Sequence, residues 1–370
     1  MRDVSKELLS WWESGKTVAM GTVTSTWMSS PRQPGASMLV GPDGTAVGSV
    51  SGGCVEGAVY EMGLEALSGA DPRRARFGVS DDDAFSVGLT CGGIIDVFVE
   101  SINEQTFPEL GDVIADIDLG RPVAIATVVD GIGIGRRLIV RPTDRSGTLG
   151  TAHLDDVVTS DVRTILDQGA TTIRHYGANG EQGSMEAEVF VTSFAPRPRM
   201  IVFGAIDFAS AVAKVGSFLG FHVTVCDARS TFATRKRFPD ADEIVVDWPH
   251  RYLAATTTDQ RTVLCVLTHD AKFDIPLLEL ALALPVAYVG AMGSRRTHND
   301  RLNRLRELGV AESKISRLAS PIGLDIGART PEETAISIAA ELIAVRCGGT
   351  GQPLRSLEGP VHREAVAQTS

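Results

Sequence analysis

The sequence predicts an α/β protein in two parts: an N-terminal α+β domain with a mostly antiparallel sheet, then a Rossmann-like, doubly wound parallel sheet. Three observations carry this. Residues 1–194 hold many short strand-like segments rich in Gly, Thr and Val, with fewer helical ones. From residue 200 onward, short continuous apolar runs alternate with helical stretches, the pattern of parallel strands buried on both faces. Between them "APRPR" (195–199) sets two prolines and two arginines between apolar segments, a linker composition. The expected organisation is therefore 1–194, a linker at 195–199, 200–350, and a flexible tail at 351–370 with little pattern.

In the first part, "TVAMGTVTST", "ASMLVG", "TAVGSV", "IIDVFVES", "PVAIATVV", "RRLIVR" and "EAEVFVTSF" read as strands. Helices are expected at roughly 54–68, 105–117 and 155–168. The start, "MRDVSKELLSWWESG", reads as a short amphipathic helix without the layout of a signal peptide. In the second part, strands "RMIVFG", "HVTVCD", "EIVVD", "TVLCVLT" and "VAYVG" alternate with helices. Thr330, Pro331 and Glu333 spell the N-cap, first residue and capping-box partner of a late helix. No internal repeat and no low-complexity tract stands out.

The 370 residues carry 46 acidic and 35 basic side chains, a net charge of −11. That balance argues against nucleic-acid or anionic-membrane partners, which want basic surface. No run approaches the ~18–20 apolar residues of a membrane span. Five scattered cysteines (Cys54, Cys91, Cys226, Cys265, Cys347) without a C-x-x-C argue against a disulfide framework or a four-ligand zinc site. A reducing, cytoplasmic compartment is expected.

Several short motifs bear on chemistry. "SWWESGKT" lacks the first glycine of a phosphate-binding loop and precedes a strand, so it is set aside. "IVFGAIDFAS" stands where a dinucleotide fingerprint belongs, with Gly204 in place but Ile206 at the second glycine. Asp227 closes the next strand and suits a ribose-hydroxyl acceptor; equally, it caps a loop in an ordinary first turn. In "THDAKFD", His269 and Asp270 overlook the crevice; the plainer reading makes Asp270 or Asp274 a helix cap. In "YVGAMGSRRTH", Gly290 and Gly293 allow a tight turn, Ser294 caps a helix, and Arg295 and Arg296 occupy its first turn. Arginines there oppose the helix dipole, which an anion at the exposed amides would justify. A solvated basic helix is the alternative.

"SGGCVEGAV" puts Cys54 behind Gly52 and Gly53 and ahead of a helix, where bare amides and the dipole favour a thiolate. "GLTCGGIIDV" gives Cys91 beside Gly92 and Gly93. Both thiols read either as soft ligands or nucleophiles, or as small buried residues beside tight turns. The other three cysteines read as core.

Beyond these readings, "GTVTSTWMSSPRQPGASMLVGPDGTAVGSVSGGCVEGAV", "CGGIIDVFVE", "VTVCDAR", "VLTHDAKFD", "YVGAMGSRRTHNDRL" and "SPIGLDIGARTPEETAISIAAELIA" resemble, in this order, the XdhC/CoxF-like family of molybdenum hydroxylase accessory proteins. The resemblance covers nearly the whole chain. It implies a maturation factor that binds the molybdenum cofactor as cargo, helps replace its oxo ligand by sulfido, and delivers it to a xanthine dehydrogenase- or CO dehydrogenase-type apo-enzyme. It implies a cysteine desulfurase-type sulfur donor as a second partner, and leaves room for a homodimer. Carried over residue by residue, it marks Cys54 and Cys91 as the Gly-flanked thiols near the metal. On the Rossmann side it marks Asp227, Arg229, His269, Asp270 and Gly290–Arg296. Relatives show a "GAGHVG" turn where this chain has "GAIDFA", which weakens nucleotide binding here. Two rival readings stand beside it: an NAD(P)-linked oxidoreductase, and a cofactor-free scaffold between sulfur donor and target.

Overall fold

The computed structural model describes residues 1–27, 32–78, 93–177, 180–181, 183–268 and 270–358. They form two compact units, Met1–Pro196 and the chain from Arg197 on.

The first unit runs α1 (Ser5–Glu13), β1 (Val18–Trp27), β2 (Ser37–Val40), β3 (Ala46–Gly48), α2 (Glu56–Leu67), β4 (Arg73–Phe77) and β5 (Ile94–Ile102). It continues with α3 (Leu110–Asp118), β6 (Val123–Gly131), β7 (Arg137–Val140), β8 (Arg145–Thr148), α4 (Ala152–Gln168), β9 (Thr172–Tyr176) and β10 (Ala187–Phe194). The strands make two antiparallel five-stranded sheets, not one, in the orders β3-β2-β1-β5-β4 and β8-β7-β6-β10-β9. Each order repeats the other, a likeness of topology that the sequence reading did not find. The helix expected from about residue 105 starts at Leu110, because residues 103–107 form a turn in which Asn103 and Thr106 take up the backbone amides. Strands β4, β8 and β9 escaped the sequence reading because "RRARF", "RSGT" and "TIRHY" are polar. All three lie at sheet edges, where charge and short length discourage further pairing.

Burial follows the pattern. Val23, Val59, Ile95 and Val97 are wholly buried between α2 and the first sheet. Val128, Leu138, Val158 and Val189 are their counterparts between α4 and the second. Leu8, Leu110, Ile114 and Ile139 close a third core around α1 and α3.

The second unit runs β11 (Arg199–Phe203), α5 (Asp207–Phe218), β12 (His222–Cys226), β13 (Glu243–Val245), α6 (Pro249–Ala255), β14 (Val263–Val266) and α7 (Ala271–Ala283). It ends with β15 (Tyr288–Ala291), α8 (Arg295–Glu307), α9 (Glu312–Ile315), β16 (Leu318–Ala319) and α10 (Pro331–Cys347). The sheet is parallel, in the order β13-β12-β11-β14-β15-β16. This is the doubly wound Rossmann order, with its crevice where β11 and β14 part. Thr330 and Glu333 close the expected capping box on α10. Cys226 and Cys265 are fully buried in β12 and β14, and burial pushes both thiols up to about 12. Cys347 departs from the core expectation: the last turn of α10, from Val345 to Cys347, is exposed.

Candidate functional site

The loop between β3 and α2 does not leave its amides bare. Gly52 and Gly53 take left-handed backbone (φ 83° and 125°) with open space where a side chain would sit. Their N–H groups donate to the Glu56 carboxylate at 2.9 and 2.8 Å. The Cys54 and Val55 amides donate to Ser51 Oγ at 3.0 and 3.1 Å. Ser49 Oγ and the Ser51 amide also donate to Glu56, at 2.7 and 2.9 Å. Partial burial works to raise the Glu56 carboxyl, but the Ser51 and Ser49 hydroxyls and the backbone amides outweigh it and hold the group at about 2. The loop is thus an anion cradle already filled from within. Cys54 is half-buried and packs on the core of the first sheet. Cys91 and Gly92 lie outside the described residues. Gly93, buried at the entrance to β5, sets its carbonyl against Gly78, where no Cβ fits.

In the second unit, Asp227 also turns inward. At 4% exposure it accepts the Ala205 amide (2.7 Å), the Arg229 amide (2.9 Å) and the Arg229 guanidinium (2.9 and 2.8 Å). Burial acts to raise its carboxyl; the Arg229 and backbone hydrogen bonds prevail and lower it. The acid that suited a ribose hydroxyl instead closes the first turn on itself. Arg237 adds to the closure, donating to the Ala205 carbonyl (3.0 Å) and pairing with Asp207 (2.8 Å). Gly204 is needed for packing: a Cβ there would stand 2.9 Å from Thr268 Cγ2 where β11 passes β14.

The loops after β14 and β15 are joined from below. Arg301 and Asp274, 3% and 2% exposed, form a buried ion pair. Thr268 Oγ1 donates to the same carboxylate, and Arg301 also reaches the Met292 carbonyl (2.6 Å). Asp270, not Asp274, caps α7, accepting the Lys272 amide at 3.1 Å. His269 lies outside the described residues. Above the pair, Ser294 caps α8 by accepting the Thr297 amide (3.1 Å). Arg295 and Arg296 are exposed in a first turn that holds no acidic residue. Gly290 is a packing glycine, its missing side chain replaced by Ile322. No sequence signal separated Arg301 from its neighbours Arg304 and Arg306; only the fold buries it.

Gly204, Asp227, Arg229, Asp270 and Gly290–Arg296 therefore share the carboxyl end of the parallel sheet. Gly52, Gly53 and Cys54 belong to the other unit. Among the described residues, no group of three His, Cys, Asp or Glu side chains is arranged to hold a metal ion, and no helix is long and apolar enough to cross a membrane.

Fold and crevice define an α/β protein whose Rossmann unit has a closed nucleotide turn and an open, arginine-bearing helix start. Residues 200–342 match the model of the XdhC Rossmann domain, and residues 11–78 and 117–177 match that of the XdhC and CoxI family. The chain belongs to the XdhC and CoxI family. It is 28% identical over 338 residues to a protein of Bacillus subtilis (strain 168) named as a probable xanthine dehydrogenase subunit, covering 90% of this chain and 94% of that one. It is 26% identical over 334 residues to the "Molybdenum cofactor insertion chaperone PaoD" of Escherichia coli (strain K12), covering 90% and 85%. A crystal structure described as a xanthine dehydrogenase from Bacillus halodurans superposes with a TM-score of 0.64 at 26% identity, covering 96% of each chain.

Proposed function

We propose that this chain is a cytoplasmic maturation factor that holds the molybdenum cofactor as cargo and delivers it to a xanthine dehydrogenase-type apo-enzyme. The observation that carries the reading is the contrast at the crevice. Asp227 and Arg237 close the turn a dinucleotide would need, while the Ser294–Arg296 helix start stays open to an anion. The cargo's phosphate fits that opening, and Arg229 and Asp270 stand at the same carboxyl end of the sheet. The names of the relatives point the same way. On the first unit, Cys54 and Cys91 are the thiols suited to a soft metal or to a sulfur-transfer step. Because Glu56 fills the amides beside Cys54, that loop offers the cargo its sulfur and not a phosphate cradle. In the exchange it supports, a thiol reductant releases hydrosulfide from the persulfide of a desulfurase-type donor, and that hydrosulfide plus one proton replaces the oxo ligand, which leaves as water, so the metal keeps its oxidation state.

The test is purification from a host with intact cofactor synthesis, followed by molybdenum analysis and pterin fluorescence after oxidation. Both signals are expected, in similar amounts. Protein lacking both, and unable to take up added cofactor, refutes the proposal. Calorimetric titration with NAD(P) is expected to show no micromolar binding, about −8 kcal/mol; such binding would favour an oxidoreductase instead. Replacing Cys54 and Cys91 by Ser is expected to abolish target activation, which a mere scaffold would retain.

A further inference from the structure

We propose that Met1–Pro196 is one αβββαββ module used twice, the second copy serving as the built-in partner of the first, and that only the first copy opens its helix start into a ligand-facing loop. The last clause rests on the cargo reading above; the duplication does not.

Every strand pairing agrees between the halves. Val18–Val23 of β1 pairs with Val97–Ile102 of β5 as Val123–Val128 of β6 pairs with Val189–Phe194 of β10. One extra residue bulges at the same place, Thr24 in one half and Val129 in the other. Thr22 faces Ser37 as Thr127 faces Arg137, and Met38 faces Gly48 as Leu138 faces Gly147. Phe77 faces Ile95 as Tyr176 faces Ala187. Gly48 and Gly147 share a left-handed backbone, and a side chain on either would strike the carbonyl of the residue before the facing one, Ser37 or Arg137. The sequence keeps two traces in the same order: Val-Ala-x-x-Thr-Val at 18–23 and 123–128, and Val-Phe-Val-x-Ser at 97–101 and 189–193. The family model likewise matches from α1 to β4 and again from α3 to β9.

The copies meet as a two-fold pair does. Strand β1 touches β9 while β4 touches β6, and α1 packs on α3, so exchanging the copies exchanges the contacts. The cavity between the sheets is lined by equivalents: Thr22 with Thr127, Phe98 with Phe190. One feature breaks the symmetry. Glu100 and Arg137 form a buried ion pair across the interface, whereas their equivalents in the opposite copy are Thr192 and Ser37. A pair made once and not twice favours the first copy with the second over either with itself.

The second asymmetry is functional. Ser49 hands its hydroxyl to Glu56 as Thr148 does to Asp155, so both copies close the turn with a carboxylate. Between these anchors the first copy has Gly52, Gly53 and Cys54; the second has Thr151, Ala152 and His153. Thr151 is the N-cap of α4, and Ala152 and His153 are its first turn. The glycines' positive φ unwinds that same turn in the first copy and lifts the thiol into a loop.

The test exchanges the two starts in the full chain. G52T/G53A is expected to wind α2 one turn further, slow amide exchange at 52–55, and leave Tm within about 3 °C of wild type or above it. Cofactor uptake, read as pterin fluorescence, is expected to fall at least about ten-fold through loss of the soft contact at the loop. T151G/A152G is expected to lower Tm by about 3–8 °C through the lost cap and two helix glycines, with uptake unchanged. A G52T/G53A protein that loses several degrees or fails to fold overturns the correspondence of the two starts. Undiminished uptake by that variant, or lost uptake by T151G/A152G, overturns the division of roles. Wild-type protein that takes up no cofactor would instead refute the cargo reading, while the Tm comparison still decides the duplication.

Discussion

The Ser49–Val55 loop and the Gly290–Arg296 segment are built alike, each leading from a strand to a helix through glycine and serine, and end with opposite electrostatics. In the first, Glu56 lies four residues past Gly52 and fills the amides itself. In the second, the corresponding turn holds Arg295 and Arg296 and no acid. The difference teaches that a glycine-bearing helix start is an anion site only where the protein leaves it empty. Whether it does is decided by the charge at the start of the helix, Glu56 in one against Arg295 and Arg296 in the other.

The comparison can be broken most severely from beneath the open loop. Arg301→Met leaves Asp274 buried without its partner and is expected to cost about 3–5 kcal/mol in denaturant unfolding. A cost below about 1 kcal/mol would mean the pair does not hold the loops together. R295A/R296A sharpens the contrast: cofactor affinity is expected to fall about 10–100-fold, for the loss of two charge-assisted contacts. Its stability should stay within about 0.5 kcal/mol of wild type, because cations at a helix start contribute nothing favourable. Unaltered affinity would remove α8 from the site.

Smaller effects are expected at the filled loop. Glu56→Gln is expected to cost about 1–2 kcal/mol, since a neutral amide accepts fewer of the converging donors. The pH profile fixes the sign. The folded carboxyl is depressed from 4.5 to about 2, so its contribution is complete above about pH 5 and fades as pH falls from 4.5 toward 2. The gap in Tm between wild type and Glu56→Gln should therefore shrink across that window. A gap that stays constant would mean the carboxylate charge is not what closes the loop.

Much of the second unit was legible because buried parallel strands are apolar throughout and helix caps are local. "TPEE" and "GSRRT" specify their turns without distant residues. The duplication was harder to read. From Ala46 to Phe77 against Arg145 to Tyr176, the identities reduce to Gly48/Gly147, Val59/Val158 and Leu67/Leu166. A core asks only for apolar residues of fitting volume, so most positions drifted without moving a strand. The repeated strand motifs kept the signal because they pack the central strands of both sheets. Closure by Glu56 and Asp227 was hidden for another reason. An acid near a glycine turn reads as a ligand group until its hydrogen-bond partners are known. Asp274 and Arg301 are far apart in sequence, and nothing local marks either as buried.

Burial also ranks the thiols by how fast a labelling reagent reaches them. Cys347 is exposed at the end of α10, Cys54 is half-covered, and Cys226 and Cys265 sit in β-strands with their protons held on by desolvation. A maleimide added to native protein would therefore mark Cys347 ahead of the other three and reach the two strand cysteines only on unfolding. Among the described thiols, chemical probing of the Gly-Gly-Cys loop becomes selective once Cys347 is replaced by Ser.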